Sequence, residues 1–159
     1  MRTTERLIDN IDLEQAMAKA VDLCKSKNIR LTKTRKRVLE IIWQNQGILK
    51  AYDILEILEK EDKSAKPITV YRALDFLIEN GLAYKVESIN SFFSCPKIDQ
   101  TCEFQLLICD KCGKVEAVPT PEACRSLDQY ANELGFKVTS KVIEAHGACK
   151  ECQNCTVGK

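Results

Sequence analysis

The sequence predicts an α+β chain of two domains: a helical one over residues 1–96 that closes on a β-hairpin, and a smaller α/β one over 97–159. Three observations carry this. Apolar residues recur at helical spacing from Leu13 to Gly81, the pattern then breaks into short strand-like runs, and eight of the nine cysteines fall in the last 65 residues. With 159 residues, 45% of them hydrophobic, and only 6 Gly and 4 Pro, the chain can bury a core in each half.

The first helix fits DLEQAMAKAVDLCKSK, which places Leu13, Met17, Ala20, Val21 and Cys24 on one stripe and makes Cys24 a small core residue. Thr32 can cap the second, TKTRKRVLEIIWQNQ, whose Val38, Leu39, Ile42 and Trp43 form its buried face, with Gly47 as a stop. A third helix fits AYDILEILEKED, with Ile54, Leu55 and Leu58 inward. The fourth, ITVYRALDFLIENG, starts after Pro67 and ends at Gly81, with Val70, Leu74, Leu77 and Ile78 inward. LAYKVES and SFFSC then read as a hairpin joined by Ser88, Ile89 and Asn90, without an Asn-Gly signal. Helices followed by a hairpin match a winged helix-turn-helix. Beyond it come strand FQLLIC, a Cys-x-x-Cys-Gly turn, strand KVEAV, a helix over Pro121 to Leu134 and a strand over FKVTSKVIEAHG.

The net charge of +1 says little about partners, but KSKNIRLTKTRKR (25–37) holds seven basic residues and no acid. Such a run suits phosphates, or is a solvated loop and helix start. No stretch approaches the ~20 apolar residues of a membrane span, and the N-terminus lacks an apolar signal region, so no membrane association and a cytoplasmic location are expected. Cytosolic thiols stay reduced, which turns the cysteines into candidate metal ligands rather than a disulfide framework.

In a winged helix the helix before the hairpin enters the major groove of double-stranded DNA. With its apolar stripe in the core, Thr69, Tyr71 and Arg72 remain outward; Arg can bond guanine bidentately, while Thr and Tyr can bond phosphates. Tyr52, at the start of the preceding helix, can reach bases or backbone, and the run containing Arg35 would lie along flanking phosphates. The same arrangement also serves protein-binding modules, with Tyr52 and Tyr71 packing at helix junctions.

Cys109-x-x-Cys112 and Cys149-x-x-Cys152 are separated by 36 residues that hold a strand, a helix and a strand. Each pair fits a tight turn, and four thiolates fill a tetrahedral zinc with no position left for water, which makes a structural site. Its formal charge of about −2 is offset by turn N–H groups and by Lys111 and Lys150. Gly113 permits a left-handed backbone at the first turn. A thiol-disulfide enzyme would carry one such motif in a βαβ setting rather than two, and a single histidine, with no nucleophile elbow or phosphate loop, gives no other enzyme class support. Cys155 has no place in the tetrahedron. Cys95, Cys102 and Glu116 read, from spacing alone, as two ordinary cysteines and a surface acid.

Together RLTKTRKRVLEII, AKPITVYRALDFLIENG, LLICDKCGKV and VIEAHGACKEC resemble the ferric uptake regulator family and, within it, the zinc uptake regulators, over about Leu13 to Cys152. The resemblance implies a homodimeric, metal-responsive transcriptional repressor with a C-terminal dimerisation domain, acting on palindromic operators of metal-uptake genes. It puts the structural zinc on Cys109, Cys112, Cys149 and Cys152, and DNA contacts on Tyr52 and Arg72. It also implies one regulatory zinc per chain at a hinge formed by Tyr84, Cys95, Cys102 and Glu116, where bound metal would fix the angle between recognition helices.

Here the chain departs from the pattern, because zinc uptake regulators typically carry histidines where Tyr84 and Cys102 stand. A phenol of pKa about 10 is a poor ligand, so the fourth position falls to water, to an acid such as Glu87, or stays empty. Alternatively, Cys95 and Cys102 close a disulfide, giving a redox- or iron-responsive regulator of the same family. His146 is expected to orient the zinc turn through hydrogen bonds without ligating.

Overall fold

The computed structural model describes residues 13–45, 48–94, 104–138 and 141–153. The chain divides into two compact units, one spanning Asn10–Gln100 and the other containing Thr101–Lys159. Among the described residues no helix is long and apolar enough to cross a membrane.

The first unit holds α1 (Leu13–Ser26), α2 (Lys33–Gln44), α3 (Ala51–Glu61) and α4 (Pro67–Glu79), then β1 (Ala83–Val86) and β2 (Ser91–Ser94). Each helix starts and stops where the sequence supplies the chemistry. The Thr32 hydroxyl accepts the Arg35 N–H at 3.4 Å, the Asp53 carboxylate accepts the Lys50 N–H at 2.9 Å, and Pro67 opens α4 at a position whose N–H would have no helical partner. At the end of α4, Gly81 takes φ +72°, so that its own N–H reaches the Ile78 carbonyl at 3.0 Å and the Leu82 N–H reaches Leu77 at 2.8 Å.

Burial follows the expected stripes, with Val38, Leu39, Ile42, Ile54, Leu74 and Leu77 inaccessible at the centre. Each such side chain contributes about 1.5–3 kcal/mol through burial. The stripes differ in detail: α1 buries Ala16 and leaves Leu13 and Val21 half exposed, α2 adds Ile41, α3 adds Ala51, and α4 adds Ala73 and leaves Ile78 half exposed. The hairpin turn is a short 3₁₀ segment, Glu87–Ile89, followed by Asn90 at φ 47°, ψ 50°. Asparagine tolerates this left-handed conformation, which is how the chain turns without glycine. Leu49 exchanges both backbone hydrogen bonds with Phe92, at 2.9 and 2.8 Å, and lays a third segment beside the hairpin. Four helices with this wing make the unit a winged helix.

The second unit holds β3 (Phe104–Cys109), β4 (Val115–Pro119), α5 (Pro121–Glu133), β5 (Ile143–Gly147) and α6 (Lys150–Gln153). The sheet order is β4-β3-β5, with β3 antiparallel to β4 and parallel to β5. Leu106, Ile108 and Ala117 are buried, as are Cys124 and Ala131 of α5.

The strand expected over 136–147 is only Ile143–Gly147. Its register pairs Ile143 with Gln105 and Gly147 with Cys109, so β3 has only Phe104 left to offer an earlier residue. The segment 136–138 is described and is not a strand. The one-turn helix α6 was not expected either, because CKEC is too short to show a periodicity.

Candidate metal centre and nucleic-acid interface

The β3–β4 turn carries Cys109 and Cys112, and the end of β5 with α6 carries Cys149 and Cys152. Their four Sγ atoms lie within 4.8 Å of one another. Tetrahedral zinc with Zn–S bonds of about 2.3 Å requires sulfurs about 3.8 Å apart. The Cys112 and Cys149 sulfurs are 3.7 Å apart, so the residues present fit the ion.

Local backbone geometry explains why two distant pairs converge. The first turn is closed by the Gly113 N–H on the Cys109 carbonyl at 2.9 Å, with Gly113 at φ +73° and open space where a Cβ would stand. Conformation, not crowding, therefore requires glycine there. In the second, the Cys152 N–H reaches the Cys149 carbonyl at 2.9 Å, starting a helical turn that points both thiols one way. The parallel pairing of β5 on β3, extended by the Asp110 N–H on the Gly147 carbonyl at 2.8 Å, brings the turns side by side.

Electrostatics at the four sulfurs are unequal. The Cys149 N–H donates to the Cys109 sulfur at 3.3 Å, and this bond, with a second from the Cys112 N–H and a third from Lys111, lowers the Cys109 pKa to about 6 against the cost of burial. Cys152 is pushed up to about 12, first by hydrogen bonding of its thiol to the Cys149 and Cys112 sulfurs and then by burial. A doubly charged cation reverses that balance, since it replaces the protons the thiols otherwise share.

Around the sulfurs, Lys111 Nζ donates to the Cys152 carbonyl at 3.0 Å and ties one turn to the other. Lys114 lies 3.0 Å from Glu116 and 3.5 Å from Glu151, a basic partner that cysteine spacing did not reveal. His146 Nδ1 stands 2.9 Å from the Asp110 carboxylate, which holds the imidazole pKa above its usual range and links β5 to the first turn. Histidine thus braces the centre without adding a ligand.

Of the residues expected at the regulatory site, Cys95 and Cys102 lie outside the described residues, as does Cys155. Tyr84 stacks on Phe93 across the hairpin, ring centroids 5.5 Å apart, and Glu116 sits on β4 in its ion pair with Lys114. Glu87 is paired with Lys85 at 2.6 Å.

On α4 the buried residues Val70, Ala73, Leu74 and Leu77 leave Thr69, Tyr71 and Arg72 exposed. Tyr52, at the start of α3, is 67% exposed and Tyr71 48%, so neither packs at a helix junction. Arg35 is placed differently from a free phosphate contact: its guanidinium lies 3.7 Å from the centroid of the Phe76 ring and donates to the Arg30 carbonyl at 2.8 Å, bracing α2 on α4. Arg37 is likewise engaged, with Glu61 and Glu40.

The family model described as the ferric uptake regulator family matches residues 26–146. The zinc uptake regulation protein of Escherichia coli (strain K12) is 41% identical over 140 residues, covering 87% of this chain and 82% of that protein. The peroxide operon regulator of Bacillus subtilis (strain 168) is 28% identical over 137 residues, covering 86% and 92%. Among solved structures, a zinc uptake regulator complexed with zinc and DNA superposes with a TM-score of 0.83 at 39% identity, covering 91% of this chain and 97% of that one. A winged helix with an exposed polar face on its last helix, joined to a unit closed by four converging thiols, has this likeness along most of its length: the chain belongs to the ferric uptake regulator family.

Proposed function

We propose that the chain is a zinc-responsive, homodimeric transcriptional repressor that binds palindromic operators of metal-uptake genes. The observation that carries this reading is its likeness, at 39% identity and over 91% of its length, to a zinc uptake regulator complexed with zinc and DNA. In that role α4 enters the major groove, Arg72 reads a base edge, and Thr69, Tyr71 and Tyr52 contact backbone or bases. Arg35 acts mainly as the brace that sets α4 on α2, and any phosphate contact by it competes with that bracing.

Cys109, Cys112, Cys149 and Cys152 hold one structural zinc, which supplies cross-linking and no reaction. The sensing site of this reading draws on Cys95, Cys102 and Glu116, a sulfur and carboxylate donor set that still suits zinc. Glu116 is held at 3.0 Å by Lys114 through one carboxylate oxygen, and its second oxygen is the one available for metal. Dimerisation is supported by the exposed apolar side chains of the second unit: Tyr130, Leu134 and Phe136 are 63%, 83% and 68% exposed.

The test is operator binding by fluorescence anisotropy with the structural zinc in place, titrating zinc, iron, manganese and oxidant in turn. Zinc alone should raise affinity, and Arg72→Ala should lower it tenfold or more, in keeping with about 1–3 kcal/mol per bidentate base contact. A response to oxidant or iron only would replace the zinc-sensing reading with the redox- or iron-responsive one.

A further inference from the structure

The large apolar side chains exposed in the first unit, among the described residues, are Tyr52, Ile68 and Tyr71. Tyr52 and Ile68 stand in the first turns of α3 and α4, and Tyr71 begins the next turn of α4. Tyrosine has a hydroxyl to place in such a position. Ile68 has none, yet it is 55% exposed at the second residue of α4.

Its neighbours give the exposure a direction. The core stripe of α4 is Val70, Ala73, Leu74 and Leu77, and the exposed stripe repeats the same spacing two residues earlier: Ile68, Tyr71, Arg72 and Asp75. Ile68 is thus one turn N-terminal to Arg72 on the same face. A scattered surface apolar residue needs no explanation, but this one occupies the end of the helix that a winged helix offers to base edges. In the major groove one group on a base is apolar, the C5-methyl of thymine, and an aliphatic side chain is its natural contact.

We propose that Ile68 is a specificity-determining residue that packs on the methyl group of one thymine in each operator half-site, next to the base read by Arg72. The proposal rests on the DNA-binding reading of α4. Burying a methyl between two apolar groups predicts about a fourfold preference for thymine over uracil at that position, from about 0.8 kcal/mol per buried carbon.

The test uses full-length, zinc-loaded protein on a duplex selected from a random library, with each thymine replaced singly by uracil and affinity read by anisotropy. For the unaltered protein, one thymine per half-site should show a three- to fivefold loss on replacement. For Ile68→Ala that loss should vanish at the same thymine, and Ile68→Val, which keeps two methyl groups, should fall between. Because the side chain is exposed, these variants keep the core intact, and circular dichroism checks it. The proposal is overturned if no thymine is sensitive, or if Ile68→Ala is as sensitive as the unaltered protein at every one. Should Arg72→Ala still cost tenfold in that case, the DNA-binding reading stands and only the role of Ile68 falls. If no duplex is selected at all, both fall.

Discussion

The two halves of the molecule are held together by different means. The first unit buries a continuous cluster from Ala16 to Phe92 that draws on all four helices and the wing. The second has only Leu106, Ile108, Cys109, Ala117, Cys124 and Ala131 buried among its described residues, and one of these is a metal-site cysteine. A unit this small cannot offset its chain entropy with so little apolar area, so it needs a staple. On the proposed reading four thiols supply one through zinc, and the exposed apolar residues of α5 and its C-terminal end would supply a second through a partner copy. The proposed function thus places DNA recognition on a unit that folds by its own core, and metal binding where folding is proposed to depend on metal.

The contrast can be broken most severely at the thiols. Cys112→Ser should abolish tight zinc at the centre, measured as metal per chain, and expose the second unit to protease, since structural zinc contributes on the order of 10 kcal/mol to such folds. The first unit should keep its helical signal. Conversely, Leu74→Ala, at a position with no solvent exposure, should cost about 2–5 kcal/mol in the denaturant transition of the first unit and leave zinc content unchanged. Leu134→Asp probes the second staple: sedimentation should show a dimer dissociation constant raised tenfold or more, about 1.4 kcal/mol, with zinc retained.

Smaller effects sharpen the same contrast. Arg35→Ala removes the stacking on Phe76 and should cost about 0.5–1 kcal/mol in the first unit, read by thermal unfolding. His146→Ala should matter only on the acid side. The Asp110 carboxylate raises the imidazole pKa, so the stabilisation is complete below the unfolded value of about 6.5 and disappears as pH rises through the higher native value. Stability against pH, compared with the unaltered protein, should converge at alkaline pH.

Much of this was legible before the fold. Long helices show their period over three turns, so α2, α3 and α4 were found nearly to the residue, and the paired Cys-x-x-Cys motifs pointed to the four thiols that the fold brings together. Features set by pairing between distant segments were not legible. The length of β5 is decided by where β3 ends, and Leu49 joins the wing only because Phe92 folds back to it. The Lys114 pair with Glu151 likewise exists only once the start of β4 and α6 lie together. Arg35 looked like one more phosphate contact in a basic run because sequence carries no sign of the Phe76 ring beneath it.

Hydrogen exchange resolved by peptide, before and after removal of zinc by a strong chelator, tests the central contrast most directly. Peptides covering Phe104–Cys109, Val115–Pro119 and Ile143–Gly147 should lose protection together on chelation, while those covering α2 and α4 keep theirs. Protection of β3 and β5 that survives complete zinc removal would contradict the account, because the second unit would then be folding on a core of its own.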